Sequence, residues 1–457
     1  MVQSQILEGK IGLEIHVYLI TKEKLFCNCR VSRERGLKEN SLICPICTGM
    51  PGAKPMLPNK NAVEKSVMIG LMLGCKINSN LIWQRKHYDW PDLPKGYQNT
   101  LSGPYAIPVG VNGKFLGAEI REMHLEEDPA SWEPLTGKID YNRSGLPLVE
   151  IVTEPDFSTA EEVVDWLRKL LHNLEYLKAV DSNAGIKVDV NINIPGKTER
   201  VEVKNINSLD SIKNAIEYEL KRQSEEGSER ETRRYDEVFG KTVRMRGKEN
   251  AQDYRFISDP DLQDIYLDKK FISEIEKNLP ESPEEKLEKI IKQFRIDTKN
   301  AEILIKNFDI AEFFERVSKK IDAKFALPWI TIELRSVLNY NKKTLSEIDI
   351  KIEHFVSLLN LIRNKKITEL QGKDILRKFK DGSFDPVEEF NKGGKISNEG
   401  ELRKIILLVL KENKKSVEDY KNGEEKAFNF LMGKVMEKTE RRADYSITRK
   451  ILESELS

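Results

Sequence analysis

The amino-acid sequence predicts an α+β region, then an all-α helical region and a small helical tail. Up to about Leu279, short β-branched runs alternate apolar and polar residues, as half-buried strands do. Beyond Leu279, apolar residues recur at helical spacing, and a stretch rich in Gly, Asn, Asp and Ser interrupts that spacing between Lys380 and Gly400. Since 457 residues exceed the size at which single cores stop growing, we expect domains at residues 1–280, 281–390 and 391–457.

Both periodicities are present in the first region. The segments Lys187–Ile194 and Arg200–Val203 alternate apolar and polar residues, which predicts strands. The segment Thr159–Leu177 has the apolar spacing of an amphipathic helix. The apolar side of that helix is formed by Val163, Trp166, Leu167, Leu170, Leu171 and Leu174.

The helical region has a clear start signal. Ser282 is the predicted N-cap, Pro283 occupies the first helical position, and Glu285 completes a capping box. Nearly every later segment of this region has helical spacing, with interruptions predicted at Leu327–Trp329 and around Asn341. In the tail, one predicted helix has an apolar stripe formed by Phe428, Leu431, Val435 and Met436.

The charge and hydropathy patterns limit the classes of protein to consider. The 75 basic and 75 acidic residues cancel, so net charge neither indicates nor excludes a nucleic-acid partner. The amino terminus lacks a basic segment followed by an apolar core, and the longest apolar run, Ile405–Leu410, is too short to span a bilayer. We therefore expect a soluble cytoplasmic protein.

Four of the five cysteines form two close pairs, Cys27, Cys29, Cys44 and Cys47. Their four thiolates suffice to close a tetrahedron around Zn²⁺, which predicts a structural zinc site without an open coordination position. Gly49, which follows the second pair, is expected to adopt a positive φ. Cys75 is expected to be a small buried apolar residue. The alternatives are four incidental reduced cysteines or a redox pair.

Acidic residues and histidines recur at strand-like spacing in three further segments. In Gly12–Val17, alternation places Glu14 and His16 on one face, where they can share a cation. The other two segments contribute His124, Glu126 and Asp128, and then Glu150 and Glu154. Carboxylates that converge repel one another unless a divalent ion or a substrate cation compensates them, so the pattern predicts a site that can hold magnesium. The alternatives are solvated strand faces and, for His16, a satisfied buried histidine.

Two glycine-lysine-threonine triplets lack the earlier glycine of a phosphate-binding loop, which is Asn191 in one case and Tyr235 in the other. Any ATP is therefore expected to be held through metal ions and basic side chains. Arg230–Glu237 and Val243–Lys248 contain candidate arginines and lysines, and solvated surface charge is the alternative for both segments.

The order of these motifs resembles that of the B subunits of tRNA-dependent amidotransferases, and the resemblance covers nearly the whole chain. These enzymes convert Glu-tRNA(Gln) or Asp-tRNA(Asn) into the amidated form. The matching blocks are G-L-E-I-H-V, C-N-C, C-P-I-C-T-G-M-P-G, R-K-H-Y-D-W-P-D-L-P-K-G-Y-Q, M-H-L-E-E-D, Y-N-R-S-G-L-P-L-V-E-I-V-T-E-P-D, V-E-V-K-N-I-N-S, E-T-R-R-Y-D-E and D-Y-R-F-I-S-D-P-D-L. One departure is Pro129-Ala130-Ser131, where many relatives have glycine and a basic residue.

The resemblance implies a glutamine-synthetase-like catalytic cradle with an inserted zinc module at about residues 27–47, then a helical domain and a tail that contacts tRNA. It assigns Mg²⁺ binding and catalysis to Glu14, His16, Glu126 and Glu150. It assigns zinc binding to Cys27, Cys29, Cys44 and Cys47. It assigns ATP binding to Asp189, Lys204 and Arg255. In the tail, Arg441 and Arg442 are expected to contact tRNA phosphates.

The expected reaction uses ATP to convert the side-chain carboxylate of Glu-tRNA(Gln), Asp-tRNA(Asn) or both into an acyl phosphate that ammonia attacks. The sequence lacks the glycine- and serine-rich segment with a catalytic lysine that amidases require. The resemblance therefore implies an amidase A subunit and a small C subunit as partners, which deliver ammonia in a heterotrimer.

Two alternatives stay open at this point. One is a non-catalytic, zinc-containing, tRNA-binding scaffold, which scattered rather than convergent acids would favour. The other is the E-type relative, which acts only on Glu-tRNA(Gln). That relative carries a large inserted domain, and the segment between Asp261 and Pro283 is too short to contain one.

Overall fold

A sheet of twelve strands forms the centre of the amino-terminal part of the chain. The computed structural model describes residues 8–32, 34, 36–181, 184–247, 255–391, 396, 398–439 and 441–456. The strands within these ranges are β1 Lys10–Tyr18, β2 Lys76–Ile77, β3 Asn80–Leu81, β4 Gln84–His87, β5 Tyr97–Thr100, β6 Gly110–Phe115, β7 Ala118–Glu127, β8 Ser131–Glu133, β9 Lys138–Asp140, β10 Pro147–Thr153, β11 Ile186–Asn193, β12 Val201–Ile206, β13 Glu231–Asp236, β14 Lys241–Gly247, β15 Arg255–Ser258 and β16 Ile265–Tyr266.

The topology of the sheet places strands that are distant in sequence next to one another. Its order is β14-β13-β12-β11-β1-β10-β7-β5-β4-β15, with β6 paired to β7 and β2 paired to β6. Strands β12 and β13 run parallel, and the other described pairs are antiparallel. Two short ribbons, β3-β16 and β8-β9, lie outside this sheet. The first strand of the chain thus lies between β11 and β10, inside the sheet.

One face of the sheet is apolar and carries helices. The alternation of β1 buries Ile11, Leu13, Ile15 and Val17, which join the main core. The helices of this part are α1 Lys60–Met72, α2 Ala160–Tyr176, α3 Leu209–Glu226 and α4 Lys269–Lys277. Residues of α1, α2 and α3 share that core, and Thr159 begins α2 with a capping box. Because one face is occupied in this way, the alternate residues of β1 point to the other face.

The chain divides into two compact units, Met1–Ser282 and Pro283–Ser457. Within the described residues, the elements of the second unit are helical. They are α5 Pro283–Phe294, α6 Thr298–Ile305, α7 Phe308–Ser318, α8 Ala323–Pro328, α9 Arg335–Asn341, α10 Leu345–Ile348, α11 Ile352–Arg363, α12 Glu369–Lys378, α13 Pro386–Asn391, α14 Glu399–Glu412, α15 Lys414–Lys421, α16 Glu425–Lys438 and α17 Tyr445–Leu456. Near the carboxyl end, α14, α16 and α17 enclose a small core around Leu431 and Val435.

Two details of the helical unit differ from the sequence expectation. The chain is not broken at Leu327–Trp329, because α8 continues into a π-helical turn at Trp329–Leu334 and then into α9. A wider turn accommodates Pro328, which has no backbone N–H to donate. The expected linker contains the short helix α13, while residues 392–395 and 397 of it lie outside the described residues.

The predicted fold class is confirmed as a mixed α/β region with a large sheet, followed by a helical region. Three parts of the expectation stay predictions. They are the resemblance of this sheet to glutamine synthetase, the zinc module, and the domain boundaries near residues 280 and 390. Among the described residues, none of the helices combines the length and apolar character needed to cross a membrane.

Candidate active site

The face opposite the helices collects ionisable side chains from four neighbouring strands. His16 on β1 is directly opposite Glu150 on β10, and Glu150 is directly opposite His124 on β7. Glu14 is paired in the same way with Asp189 on β11. Directly opposed residues of an antiparallel pair point to the same face, so register alone places these five side chains on that face of the sheet.

The first group of candidate metal ligands is His16, Glu126 and Glu150, which we name the His16 cluster. One ligand atom from each lies within 4.8 Å of the others. The His16 Nε2 atom is 3.8 Å from Glu126 Oε1 and 3.7 Å from Glu150 Oε1. The Thr100 hydroxyl donates to Glu126 Oε2 over 3.0 Å, which orients this carboxylate. Three of the four predicted magnesium ligands therefore converge.

The fourth predicted ligand, Glu14, belongs to a second group with Asp189 and Glu202, which we name the Glu14 cluster. The Lys204 ammonium lies 3.0 Å from Glu202 Oε1 and 3.5 Å from Asp189 Oδ2. The backbone N–H of Asn205 donates to Asp189 Oδ1 over 2.7 Å. Glu202 is not among the site residues predicted from the sequence. The alternation in V-E-V-K was the available signal, because it places Glu202 and Lys204 on one face of β12.

Burial and mutual repulsion shift the acidity of these carboxyl groups. Burial, followed by the charges of Glu150, Glu202 and Asp189, raises the pKa of Glu14 to about 7. Burial and then the charge of Glu150 raise the pKa of Glu126 above its ordinary value. Such a site favours proton or cation binding, because either one relieves the repulsion.

Glu150 is the carboxyl group of the His16 cluster whose pKa is lowered. Burial opposes its ionisation, but the hydrogen bond with His124 and the electrostatic interactions with His16 and His124 hold the pKa of Glu150 below its ordinary value. Lys86 on β4 favours ionisation of both Glu150 and Glu126. The sequence offered no signal for Lys86 beyond its place in the block R-K-H-Y-D-W.

His124 is 1% exposed and lies between two carboxylates. Its Nδ1 atom is 3.2 Å from Glu150 Oε2, and its Nε2 atom is 3.4 Å from Glu122 Oε2. Burial alone would lower the pKa of His124, but these two carboxylates raise it to about 10. His124 thus lies behind Glu150, with its Nδ1 atom towards that carboxylate.

Three other acids and bases singled out from the sequence are placed elsewhere. Asp128 accepts a hydrogen bond of 2.6 Å from the Tyr18 hydroxyl and does not belong to either cluster. Glu154 forms an exposed ion pair of 2.7 Å with Arg121. Arg255 is exposed on β15, which β4 and β5 separate from β7. Its assignment to ATP stays a prediction that rests on the resemblance.

The arginine-rich strands β13 and β14 are at the opposite end of the sheet order. Glu231 is buried there and pairs with Arg222 at 3.1 Å, Arg233 at 2.9 Å and Arg244 at 3.0 Å. Glu219, which is 0% exposed, pairs with Arg222 at 2.6 Å. These arginines compensate buried acids, which fits a structural role. Lys248 lies outside the described residues.

The four clustered cysteines converge, with one Sγ atom from each within 4.8 Å of the others. The Cys44 backbone N–H donates to Cys47 Sγ over 3.2 Å, and the buried Lys24 ammonium lies 3.5 Å from the same sulfur. Gly49 has φ +65°, and an added Cβ would meet Pro94 O at 2.4 Å. The expected positive φ is therefore present, and Lys24 is a contact that the sequence did not reveal.

Proton sharing within the cysteine cluster favours one thiolate. Hydrogen bonding with Cys27 lowers the pKa of Cys47 to about 4, although burial opposes this, and raises the pKa of Cys27. Burial, with a hydrogen bond to Cys44, raises the pKa of Cys29 to about 12. Four thiols this close suit a cation that displaces all four protons, and a tetrahedral Cys₄ donor set is typical of Zn²⁺.

Comparisons with known proteins match this chain along almost its whole length. A family model described as the GatB/GatE catalytic domain matches residues 9–273. The chain belongs to the GatB/GatE family. A second family model, described as the GatB domain, matches residues 312–456. Between β15 and α5 the structure has only β16 and α4, so this GatB/GatE member has no inserted domain in that described segment.

Several curated GatB/GatE relatives are similar over nearly their full length. The chain is 42% identical over 460 residues to the B subunit of the aspartyl/glutamyl-tRNA(Asn/Gln) amidotransferase of Methanopyrus kandleri, covering 98% of both proteins. It is 44% identical over 454 residues to the protein of the same name from Methanocaldococcus jannaschii, covering 95% of both. The corresponding protein of Methanobrevibacter smithii is 41% identical over 454 residues, with 97% of this chain and 99% of the relative covered.

Proposed function

We propose that this chain is the B subunit of an aspartyl/glutamyl-tRNA(Asn/Gln) amidotransferase. It phosphorylates the side-chain carboxylate of Glu-tRNA(Gln), Asp-tRNA(Asn) or both with ATP and then amidates it with ammonia. The observation that carries this proposal is the pair of ligand clusters on one sheet face. Glu14 and His16 are two residues apart on β1, so the clusters are about 7 Å apart along the strand.

The donor atoms of both clusters suit hard divalent cations. His16, Glu126 and Glu150 would hold one ion, and Glu14, Asp189 and Glu202 in the second cluster are all carboxylates. Mg²⁺ bound at such sites neutralises phosphate charge during transfer. The clusters themselves are too acidic to meet a triphosphate without that compensation.

The reaction proposed here has two steps. A carboxylate oxygen of the substrate attacks the γ-phosphorus of ATP and ADP leaves, which gives an acyl phosphate. Ammonia then attacks the acyl carbon and phosphate leaves, which gives the amide. Lys204 lies 3.0 Å from Glu202, and the charge of Lys86 acts on Glu126 and Glu150, so both ammonium groups can meet phosphate oxygens at either step.

Further parts of the proposal rest on family membership and on local chemistry. Asp189, Lys204 and Arg255 contact ATP or its metal ions. The four clustered cysteines hold Zn²⁺, which stabilises their loop within a glutamine-synthetase-like cradle of residues 1–280. Residues 281–390 form the helical domain, and residues 391–457 contact tRNA. An amidase A subunit and a small C subunit deliver ammonia in a cytoplasmic heterotrimer.

The decisive experiment is amidation of Glu-tRNA(Gln) and Asp-tRNA(Asn) by the chain with its co-expressed partners. Ammonium replaces glutamine, so amidase activity is not needed. We expect product only with ATP and Mg²⁺, and its loss in Glu126→Gln. Glu119→Gln is the matched control, because Glu119 is an exposed acid on the same strand. Transfer RNA binding without amidation in the parent complex would instead support the scaffold alternative.

A further inference from the structure

The two carboxylate oxygens of Glu150 face different partners. Oε1 lies 3.7 Å from His16 Nε2, on the side where the His16 cluster converges. Oε2 lies 3.2 Å from His124 Nδ1. His124 is 1% exposed and directly opposite Glu150 across β7 and β10, so its buried ring lies beside that carboxylate on the same face of the sheet. The carboxylate therefore has one oxygen towards the cluster and one towards a fixed ring nitrogen.

We propose that His124 is a positioning residue that fixes the rotation of the Glu150 carboxylate, so that Oε1 meets a divalent cation together with His16 and Glu126. This inference rests on the proposed function of the His16 cluster as a metal site. A glutamate without such a partner rotates about its last side-chain bond, and each orientation that turns Oε1 away reduces cation affinity. Hydrogen-bond partners of metal ligands typically change metal affinity by about 10–100-fold when they are removed.

Glu122 extends this arrangement behind the ring. Its Oε2 atom is 3.4 Å from His124 Nε2, and its side chain is 37% exposed. Glu122, His124 and Glu150 thus form a chain of acid, imidazole and acid that leads into the cluster. Glu122 lies on the side of the ring away from Glu150, so Nε2 faces the outer acid while Nδ1 faces the metal ligand.

The test measures Mn²⁺ binding to the full chain by electron paramagnetic resonance, without ATP, tRNA or turnover. His124→Asn places an amide nitrogen near the position of Nδ1 and keeps a donor to Glu150. His124→Gln carries the same group one carbon further out, near the position of Nε2. His124→Phe keeps a ring without any donor. His172→Phe on α2 is the matched control, since it removes a histidine whose ring packs against Tyr176 at 5.0 Å.

We expect His124→Phe and His124→Gln to weaken Mn²⁺ binding about 10–100-fold, and His124→Asn and His172→Phe to bind like the parent. Equal Mn²⁺ affinities of His124→Asn and His124→Gln would overturn the inference. This comparison remains valid even if His124→Phe does not fold. Glu126→Gln, measured in parallel, tests the metal site itself. If Glu126→Gln lowers Mn²⁺ affinity while every His124 variant keeps it, the site stands and the role of His124 fails. If the parent binds no Mn²⁺, both proposals fail.

Discussion

The Nε2 atom of His16 lies 3.7 Å from Oε1 of Glu150, its cross-strand partner on β10. Because Glu126 Oε1 is 3.8 Å from the same nitrogen, three potential ligands share one point at the middle of the sheet. This contact is set by strand register rather than by a local motif. Register also places Glu14 outside the His16 cluster, because its side chain lies beside those of Asp189 and Glu202.

A double-mutant cycle tests whether His16 and Glu150 act on one ion. We expect His16→Gln and Glu150→Gln each to weaken Mn²⁺ binding. The double variant should lose about 0.5–3 kcal/mol less binding free energy than the sum of the two single losses, because the first change already removes much of the shared site. Mn²⁺ titration of the full chain gives the four affinities. Glu154→Gln replaces Glu150→Gln in a control cycle, since Glu154 pairs with Arg121 outside both clusters. Additive losses for His16 and Glu150 would contradict a shared ion.

Zinc removal should cost stability. We expect one Zn²⁺ per chain by elemental analysis, and in Cys44→Ser a loss of zinc together with a lower temperature of unfolding, because the two turns would no longer be cross-linked. Cys75→Ser is the matched control: Cys75 is 6% exposed in the main core and outside the cluster, so its variant should keep the metal. Full zinc content in Cys44→Ser would refute the four-cysteine site.

Arg441 in the tail forms an ion pair of 2.8 Å with Asp374 on α12, and its side chain is 49% exposed. We expect Arg441→Glu to weaken tRNA binding and to reduce the slope of log K against log salt by about 1, as loss of one phosphate contact does. Filter-binding titrations at several salt concentrations give that slope. Asp374→Asn breaks the same ion pair but keeps the arginine charge, so its slope should match the parent. A reduced slope in Asp374→Asn would indicate that Arg441 acts through the pairing of the tail with α12.

His87 provides a pH test that is independent of metals. Burial, followed by the charges of Arg85 and Arg255, lowers the pKa of His87, and neither ring nitrogen has a hydrogen-bond partner within the described part of the chain. Above the unfolded pKa of about 6.5 the residue is neutral in both states and has no effect. Below that pH the unfolded chain takes up the proton first, so stability falls with falling pH.

We therefore expect the thermal midpoint of the parent to fall more steeply between pH 7 and pH 5 than that of His87→Gln. Thermal unfolding of both proteins is measured in the same buffers, so the contributions of all other titrating groups cancel in the difference between the two midpoints. Midpoints that fall in parallel would mean that His87 is protonated equally in the folded and unfolded chain.

Local patterns predicted individual elements well. The strand at Lys187–Ile194 appears as β11, the helix at Thr159–Leu177 as α2, and the helix that starts at Pro283 as α5. In each case the signal comes from consecutive residues, whose periodicity reflects one buried face. The expected break at Leu327–Trp329 was wrong, because the helix continues past Pro328 through a π-helical turn that joins α8 to α9.

The sequence by itself determined which residues have the right chemistry: four cysteines in two close pairs, Glu14 and His16 on one face of β1, and acids in two further strands. Only the tertiary structure decided which of them share a site. It joined Glu202 to Glu14, placed His124 behind Glu150, and left Asp128 and Arg255 outside both clusters. The reason is physical: periodicity sets the face of each side chain, whereas its neighbours across the sheet follow from the register of strands that are far apart in the chain.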